Sequence, residues 1–286
     1  NRVEYFVSYY DYYQPESYLP QKDQYIEKDA QINPKIEQLR LSATASVLSR
    51  RDVIVVASVS CIYGLGRPEH YRNMGFELKA GDRMPRKEIL EHLITGLYER
   101  NDLELLPGRF RVKGDTVDIV PGYSNNIIRI ELFGDEIERI SEVDRITGTL
   151  VERLKYFHVF PARHYVIPEE LQKLALTSIR QELYERLPEL GLLEAHRLEQ
   201  RTLYDLEMLR EIGRCKGIEN YSRHLAGLPA GSRPYTLLDY FPKDYMVIID
   251  ESHAMVPQLR AMYAGDRSRK ESLVDYGFRL PSALDN

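Results

Sequence analysis

Apolar and polar positions repeat with different periods along the chain, and the switches between periods divide it. From residue 34, "PKIEQLRLSATASVLSR" predicts a helix with Ile36, Leu39, Ala43 and Val47 on one face and Asn33 as a cap ahead of Pro34. "DVIVVASVS", at residues 52–60, is β-branched and almost wholly apolar, the pattern of a strand buried on both faces of a helix-covered parallel sheet. "YMVIIDESH", at residues 245–253, has the same character. Both read as strands of one α/β core interrupted by an insertion.

The insertion, residues 74–168, follows another rule. "PRKEILEHLITGLYER" predicts a helix, and "RFRVKGDTVDIV" and "IIRIELFGDEIERISEV" alternate apolar with polar around Gly114-Asp115 and Gly134-Asp135. Those dipeptides predict tight hairpin turns of undecided type, and so a separable α+β domain built on an antiparallel sheet. Residues 169–213 return to helical spacing, with Leu171, Leu174, Leu183 and Leu187 before a break at Pro188 and Gly191 and a second helix from Leu192. The expected division is 1–73, 74–168, 169–240 and 241–286.

Composition changes this picture at one place. Seven of the 21 tyrosines lie in "YFVSYYDYYQPESYLPQKDQY", residues 5–25, in a chain without tryptophan. Helical spacing would align Tyr5, Tyr9, Tyr12 and Tyr13 as a core stripe, whereas strand geometry sends Tyr10 and Tyr12 to one side and Tyr9 and Tyr13 to the other. Pro15 and Pro20 break a long helix and favour an extended ribbon over residues 9–32. Rings on both sides of such a ribbon serve either core packing or stacking on bases, which tolerates any base sequence. The acids Asp11, Glu16, Asp23, Glu27 and Asp29 outnumber Lys22 and Lys28, so the ribbon would repel phosphates and act only after other surfaces had captured a strand.

A net charge of −5 and a pI near 5.9 exclude a broad basic nucleic-acid surface. Cys61 and Cys215 lie far apart, which fits neither a zinc site nor a disulfide framework and agrees with a reducing cytosol. No run is long and apolar enough for a membrane span, so a cytoplasmic protein is expected. The chain opens on Asn and stops at "RLPSALDN", and an internal piece of a longer polypeptide is expected.

Two groups of residues could carry chemistry. An acid at the end of a buried strand lies where α/β sheets bind ligands, so Asp250 could hold Mg2+ and Glu251 could polarise a water; the alternative is an acid pair facing solvent. No G-x-x-x-x-G-K-[ST] loop accompanies them, and one is expected upstream of Asn1. In the insertion, alternation puts Arg109, Arg111 and Lys113 opposite Phe110 and Val112. It also leaves Arg129 and Glu131 outside while Ile128, Ile130 and Leu132 face the core. The result is either a cationic patch for an acidic protein or a solvated sheet face.

"EYFVSYYDYYQPESYLPQKDQYIEKDAQIN", "RRDVIVVASVSCIYGLG", "IENYSRHL", "PYTLLDYFP", "IDESH" and "GFRLPSALDN", in this order, resemble the UvrB family of nucleotide excision repair over essentially the whole chain. The resemblance implies an incomplete helicase-type parallel-sheet core of P-loop NTPase kind with a protruding β-hairpin at residues 9–32, a helical subdomain, an inserted domain, and a return to the core carrying the DExH element. It implies that Tyr9, Tyr10, Tyr12 and Tyr13 stack at the hairpin base, with Tyr18 and Tyr25 nearer the tip, one strand of damaged DNA passing behind. Arg100, Arg111, Lys113, Arg129 and Glu131 match positions that dock UvrA; Lys113 stands where arginine is common, which keeps charge and loses bidentate pairing. Asp250, Glu251, Ser252 and His253 match the Mg-ATP motif. ATP and Mg2+ are implied as cofactors of the longer parent and UvrC as a partner of it, with no cofactor expected in this piece alone. Two alternatives remain, a UvrA-binding module alone, as in the transcription–repair coupling factor, and a general DExH translocase.

Overall fold

The computed structural model describes residues 2–286. In chain order the first elements are β1 (Arg2–Phe6), β2 (Tyr10–Gln14), β3 (Ser17–Leu19), β4 (Gln24–Ile26), β5 (Asp29–Ile32), α1 (Pro34–Ser49), β6 (Val53–Ala57), α2 (Pro68–Asn73), β7 (Phe76–Lys79) and α3 (Arg86–Thr95). They are followed by β8 (Glu99–Arg100), β9 (Arg109–Lys113), β10 (Thr116–Val120), β11 (Ile127–Phe133), β12 (Glu136–Val143), β13 (Leu150–Leu154) and β14 (Tyr156–Val159). The last are α4 (Glu169–Arg186), α5 (Leu192–Ile212), the short α6 (Ser222–Leu225) and α7 (Ser252–Asp275). These divide into two compact units, one of Asn1–Tyr9, Pro34–Cys61 and Gly66–Pro168, the other of Tyr10–Asn33, Ile62–Leu65 and Glu169–Asn286.

In the first unit, β1 and β6 pair in parallel with Arg2 opposite Val53 and Phe6 opposite Ala57. The helix predicted from residue 34 is α1, and it buries Leu41, Ala43, Ala45 and Val47, while the expected face residue Leu39 is exposed. Buried Glu4 accepts hydrogen bonds from Ser42 at 3.1 Å and Ser46 at 2.6 Å, and an ion pair from Arg2, so the α1–β1 seam is polar as well as apolar. β6 is a strand as expected, but Ile54 is 61% exposed, so it is not buried on both faces.

The rest of that unit is a six-stranded sheet in the order β13-β12-β11-β10-β9-β8, antiparallel except for the parallel β8/β9 pair. Both predicted turns are two residues long, closing Lys113 on Thr116 and Phe133 on Glu136. Gly114 and Gly134 have φ near +60°, whereas their aspartates are absent from the positive-φ residues. That combination is type II′, which demands glycine at the first central position and matches strand twist. One face of the sheet contributes Phe110, Val117, Ile119, Ile128, Ile130, Ile137 and Ile140 to a core shared with Ile89 and Leu93 of α3 and with the β7/β14 pair. Each fully buried side chain of this size contributes roughly 1.5–3 kcal/mol.

In the second unit, α4 and α5 form the expected helical pair on either side of Pro188 and Gly191, burying Ala175, Ile179 and Leu183 on one side and Leu198, Leu206 and Leu209 on the other. Residues 246–249, expected as a buried strand, are not one. Ile248 is 85% exposed, and no described strand pairs with this run. A strand exists only by exchanging backbone hydrogen bonds with a neighbour, and the parallel sheet of the described residues has two strands, in the other unit. The fold is therefore mixed α/β with several small sheets.

Candidate functional site

Tyr10–Asn33 is an antiparallel ribbon. β2 pairs with β5 and β3 with β4, and Pro20 begins the 3-10 turn at the tip. The β2/β5 register slips by one residue between Tyr10 and Tyr12, since Tyr10 faces Ile32 and Tyr12 faces Gln31. Asp11 is the extra residue of this β-bulge, and it resets the alternation. Tyr10 and Tyr13 consequently share a face and stack with ring centroids 4.8 Å apart, while Tyr12 lies on the other. Strict alternation had joined Tyr10 to Tyr12, and the bulge overturns that pairing. Lys28 sits with its ammonium 5.9 Å from each stacked ring and forms an ion pair with Glu219. Tyr12 and Tyr13 are about half exposed. Tyr9, in the first unit, lies against the Arg40 guanidinium at 4.7 Å, and the same guanidinium covers Phe6 at 3.9 Å and donates to the Val7 carbonyl at 2.8 Å.

The far half of the ribbon is fastened to the helical part of its own unit. The helix α5 presents Arg197, Arg201 and Asp205 at intervals of four residues, hence on one face. Arg201 pairs with Glu16 at 2.7 Å and donates to the Tyr25 hydroxyl at 2.7 Å, which in turn donates to Glu16. Arg279 donates from Nε to Glu16 at 2.8 Å and from Nη1 to Asp205 at 3.3 Å, and Tyr221 also donates to Asp205. Tyr25 stacks on Phe278 at 4.5 Å with planes 3° apart; Tyr18 lies 4.8 Å from the same ring and donates to Asp23; Arg197 covers the ring at 4.2 Å. Lys216 adds an ion pair to Glu27, and Arg269 donates to the Glu16 carbonyl.

Burial pushes the Tyr25 hydroxyl up to about 12, helped by its bond to Glu16. For Glu16 burial acts upward too, but Arg279 and Arg201 outweigh it and hold the carboxyl below its ordinary value. Burial raises Asp205 despite Arg279. Gly277 makes the approach possible, because it has φ +69° and a Cβ there would lie 2.3 Å from the Glu194 carbonyl oxygen of α5.

The acid excess of the ribbon therefore does not describe its surface, since Glu16 is neutralised by Arg201 and Arg279 and Glu27 by Lys216. Arg197, Arg201, Asp205, Phe278 and Arg279 were missed from the sequence, and Glu16 was read only as an acid that repels phosphates. The i, i+4, i+8 row of charges on α5 was the available signal.

On the inserted sheet, Ile128, Ile130 and Leu132 point inward and Arg129 and Glu131 outward, as alternation requires. The outer face is a lattice of opposite charges rather than a plain cationic patch. Arg111 and Arg129 both pair with Asp118 at 2.8 Å, and Arg139 pairs with Glu131 at 3.3 Å; Arg100, in the edge strand β8 and in register with inward-facing Phe110, pairs with Asp102 at 3.1 Å. Lys113 ends β9, exposed. Asp102 and Asp118 were not foreseen.

Asp250, Glu251, Ser252 and His253 are exposed at the start of α7. Asp250 accepts the backbone N–H of Glu251 at 3.0 Å, and Glu251 has φ +45° and lies 3.4 Å from His253. Carboxylates suit Mg2+, but here no sheet edge aims them, and among the described residues no group of three metal-binding side chains converges. No described helix is long and apolar enough to cross a membrane.

Residues 76–165 match the family model of the UvrB interaction domain and residues 170–227 that of the UvrB third helical domain. All 286 residues align with the UvrABC system protein B of Methanosarcina mazei at 73% identity, covering 43% of that protein. The proteins of the same name from Methanococcus maripaludis and Geobacillus kaustophilus are 65% and 60% identical over the whole of this chain, which covers 44% of each. The chain thus spans somewhat less than half the length of these relatives.

Proposed function

The chain belongs to the UvrB family, and on that premise we propose that it carries the damage-probing ribbon and the partner-docking domain of a cytoplasmic excision-repair subunit. The whole protein receives damaged DNA from UvrA, verifies it and recruits UvrC. The observation that carries this reading is the asymmetry of the ribbon. Its far half is clasped by Glu16, Tyr18, Tyr25 and Glu27, while Tyr12 and Tyr13 near its base remain open to a partner. Such a bracket suits one strand passing behind it and opposes a duplex.

Stacking contributes roughly 1–3 kcal/mol per base without reading sequence, so the tyrosines can hold strands apart wherever they stand. A clasp of ion pairs and one ring stack is reversible, so it can open to admit a strand and close over it. Bulky adducts would then be sensed by obstruction rather than by their chemistry. Nucleotide hydrolysis belongs to the whole protein; Asp250 would hold the magnesium of ATP there and Glu251 would polarise the water, with Ser252 and His253 beside them.

The test is damage discrimination by the full-length protein carrying Tyr9→Ala and Tyr10→Ala. Discrimination between damaged and intact DNA is expected to fall while UvrA binding is kept. Equal discrimination by variant and wild type would remove the wedge role.

A second reading, that these residues act through docking alone, draws on the partly exposed Arg111 and Arg129 and the exposed Lys113 of the inserted sheet. It expects salt-sensitive UvrA binding through that face and no effect of the tyrosines.

A further inference from the structure

The register of the inserted sheet sets one acid between two of the proposed docking cations. β10 lies between β9 and β11, and Asp118 stands directly across from Arg111 on one side and from Arg129 on the other. Its Oδ2 accepts Nε and Nη2 of Arg111 at 3.0 and 2.8 Å. Arg129 donates Nε to Oδ1 at 2.8 Å and Nη2 to Oδ2 at 3.1 Å. Each guanidinium is gripped through two nitrogens, so its plane is fixed, and Nη1 of each takes no part in the grip.

Asp118 itself is 3% exposed, whereas the two arginine side chains remain 22% and 35% exposed. The acid is therefore out of reach of a docking protein and the arginines are not. Burial acts to raise the Asp118 carboxyl, yet Arg129 and Arg111 hold it below its ordinary value, so it stays charged.

We propose that Asp118 is a positioning residue for docking, holding Arg111 and Arg129 as two preformed forks for carboxylates on an acidic protein surface. The inference rests on the reading of this face as the UvrA docking surface. Preorganisation removes the ordering of two long side chains from the binding step, which is where such a device acts. Lys113, at the end of β9, lies outside the grip and serves as a steering charge.

Charge counting and positioning predict opposite signs. Two arginines and one aspartate carry +2 − 1 = +1, and Asp118→Asn makes the trio +2. Were the arginines bare charges, that substitution would speed association with an acidic partner and tighten binding at low salt. Positioning predicts the reverse, about tenfold weaker binding appearing chiefly as faster dissociation.

The experiment measures UvrA association and dissociation rates across a salt series for the whole chain as wild type, Asp118→Asn, Arg111→Lys, and Arg111→Ala with Arg129→Ala, each checked for folding by circular dichroism. Arg111→Lys keeps the charge and loses the two-nitrogen grip, so it is also expected to weaken binding, and it decides the matter if Asp118→Asn does not fold. Unchanged or tighter binding in the folded Asp118→Asn variant, or unchanged binding in Arg111→Lys, overturns the positioning role, provided that the double alanine variant binds weakly. If the double alanine variant binds like wild type, it is the docking reading that falls, and the positioning role with it.

Discussion

Glu16 and Arg279 meet at 2.8 Å, with both side chains almost wholly buried although 263 residues separate them in sequence. Arg279 also reaches Asp205, so its removal leaves two buried carboxylates short of their cation. Arg279→Ala is expected to destabilise the chain by roughly 3–5 kcal/mol, the range for breaking a buried pair from one side. Urea unfolding measures it. Glu16→Gln combined with Arg279→Met should cost less than the two single changes added, because neither partner is then left charged and alone.

The same acid gives the clasp a pH dependence. Glu16 has a folded pKa below its ordinary value near 4.5, so its contribution is complete above that value and is lost as pH falls through the lower folded pKa. Asp205 acts oppositely, since its raised pKa means that its ionisation costs stability and its protonation recovers some. Wild type should lose stability below about pH 4.5 with a slope that Glu16→Gln reduces, and Asp205→Asn should steepen the decline. Unfolding midpoints between pH 6 and 3 decide; identical slopes for wild type and Glu16→Gln would remove Glu16 from the linkage.

Local pattern foretold what local physics decides. The two Gly-Asp turns, the alternation of β9 to β12, the helix from Pro34 and the helical pair around Pro188 are each set within a few residues. Residues 246–249 failed for the complementary reason, since their apolar run identifies a segment that can be a strand, and only a neighbouring strand makes it one. The bulge at Asp11 is a third kind of miss. A single residue unmatched in the ladder, with no glycine to mark it, took Tyr10 from the face of Tyr12 to that of Tyr13. Asp118 could have been found by aligning the two predicted hairpins, which places it between Arg111 and Arg129. Arg279 could not, because nothing local joins it to Glu16.

Other tyrosines are structural, and they cluster around one segment. The hydroxyls of Tyr123, Tyr98 and Tyr71 donate to the carbonyls of His158, Phe160 and Pro161, at 3.1, 2.7 and 3.3 Å. Burial raises all three hydroxyls far above the ordinary tyrosine range, so they remain donors at any working pH. Tyr98→Phe leaves the buried Phe160 carbonyl without this donor and should cost about 1–3 kcal/mol. Thermal unfolding reads the loss. Hydrogen exchange should place it in residues 156–166 while the ribbon is unaffected.

Inserting one residue between Gln31 and Ile32, opposite Asp11, tests the bulge directly. With Asp11 matched across the ladder β2 would pair with β5 in unbroken alternation, sending Tyr10 and Tyr13 to opposite faces and ending their stack and the shared approach of Lys28. The insertion leaves the pairing from Tyr12 to Gln31 as it is, and it is compared with Asp11→Gly, which keeps the bulge. If the paired rings are what a strand meets, the insertion should weaken damage discrimination in the full-length protein about as much as Tyr10→Ala with Tyr13→Ala, whereas Asp11→Gly should leave it near wild type. An equal loss in Asp11→Gly would assign the effect to the Asp11 carboxylate, which accepts a hydrogen bond from Asn33 at 3.1 Å, and not to the facing of the rings.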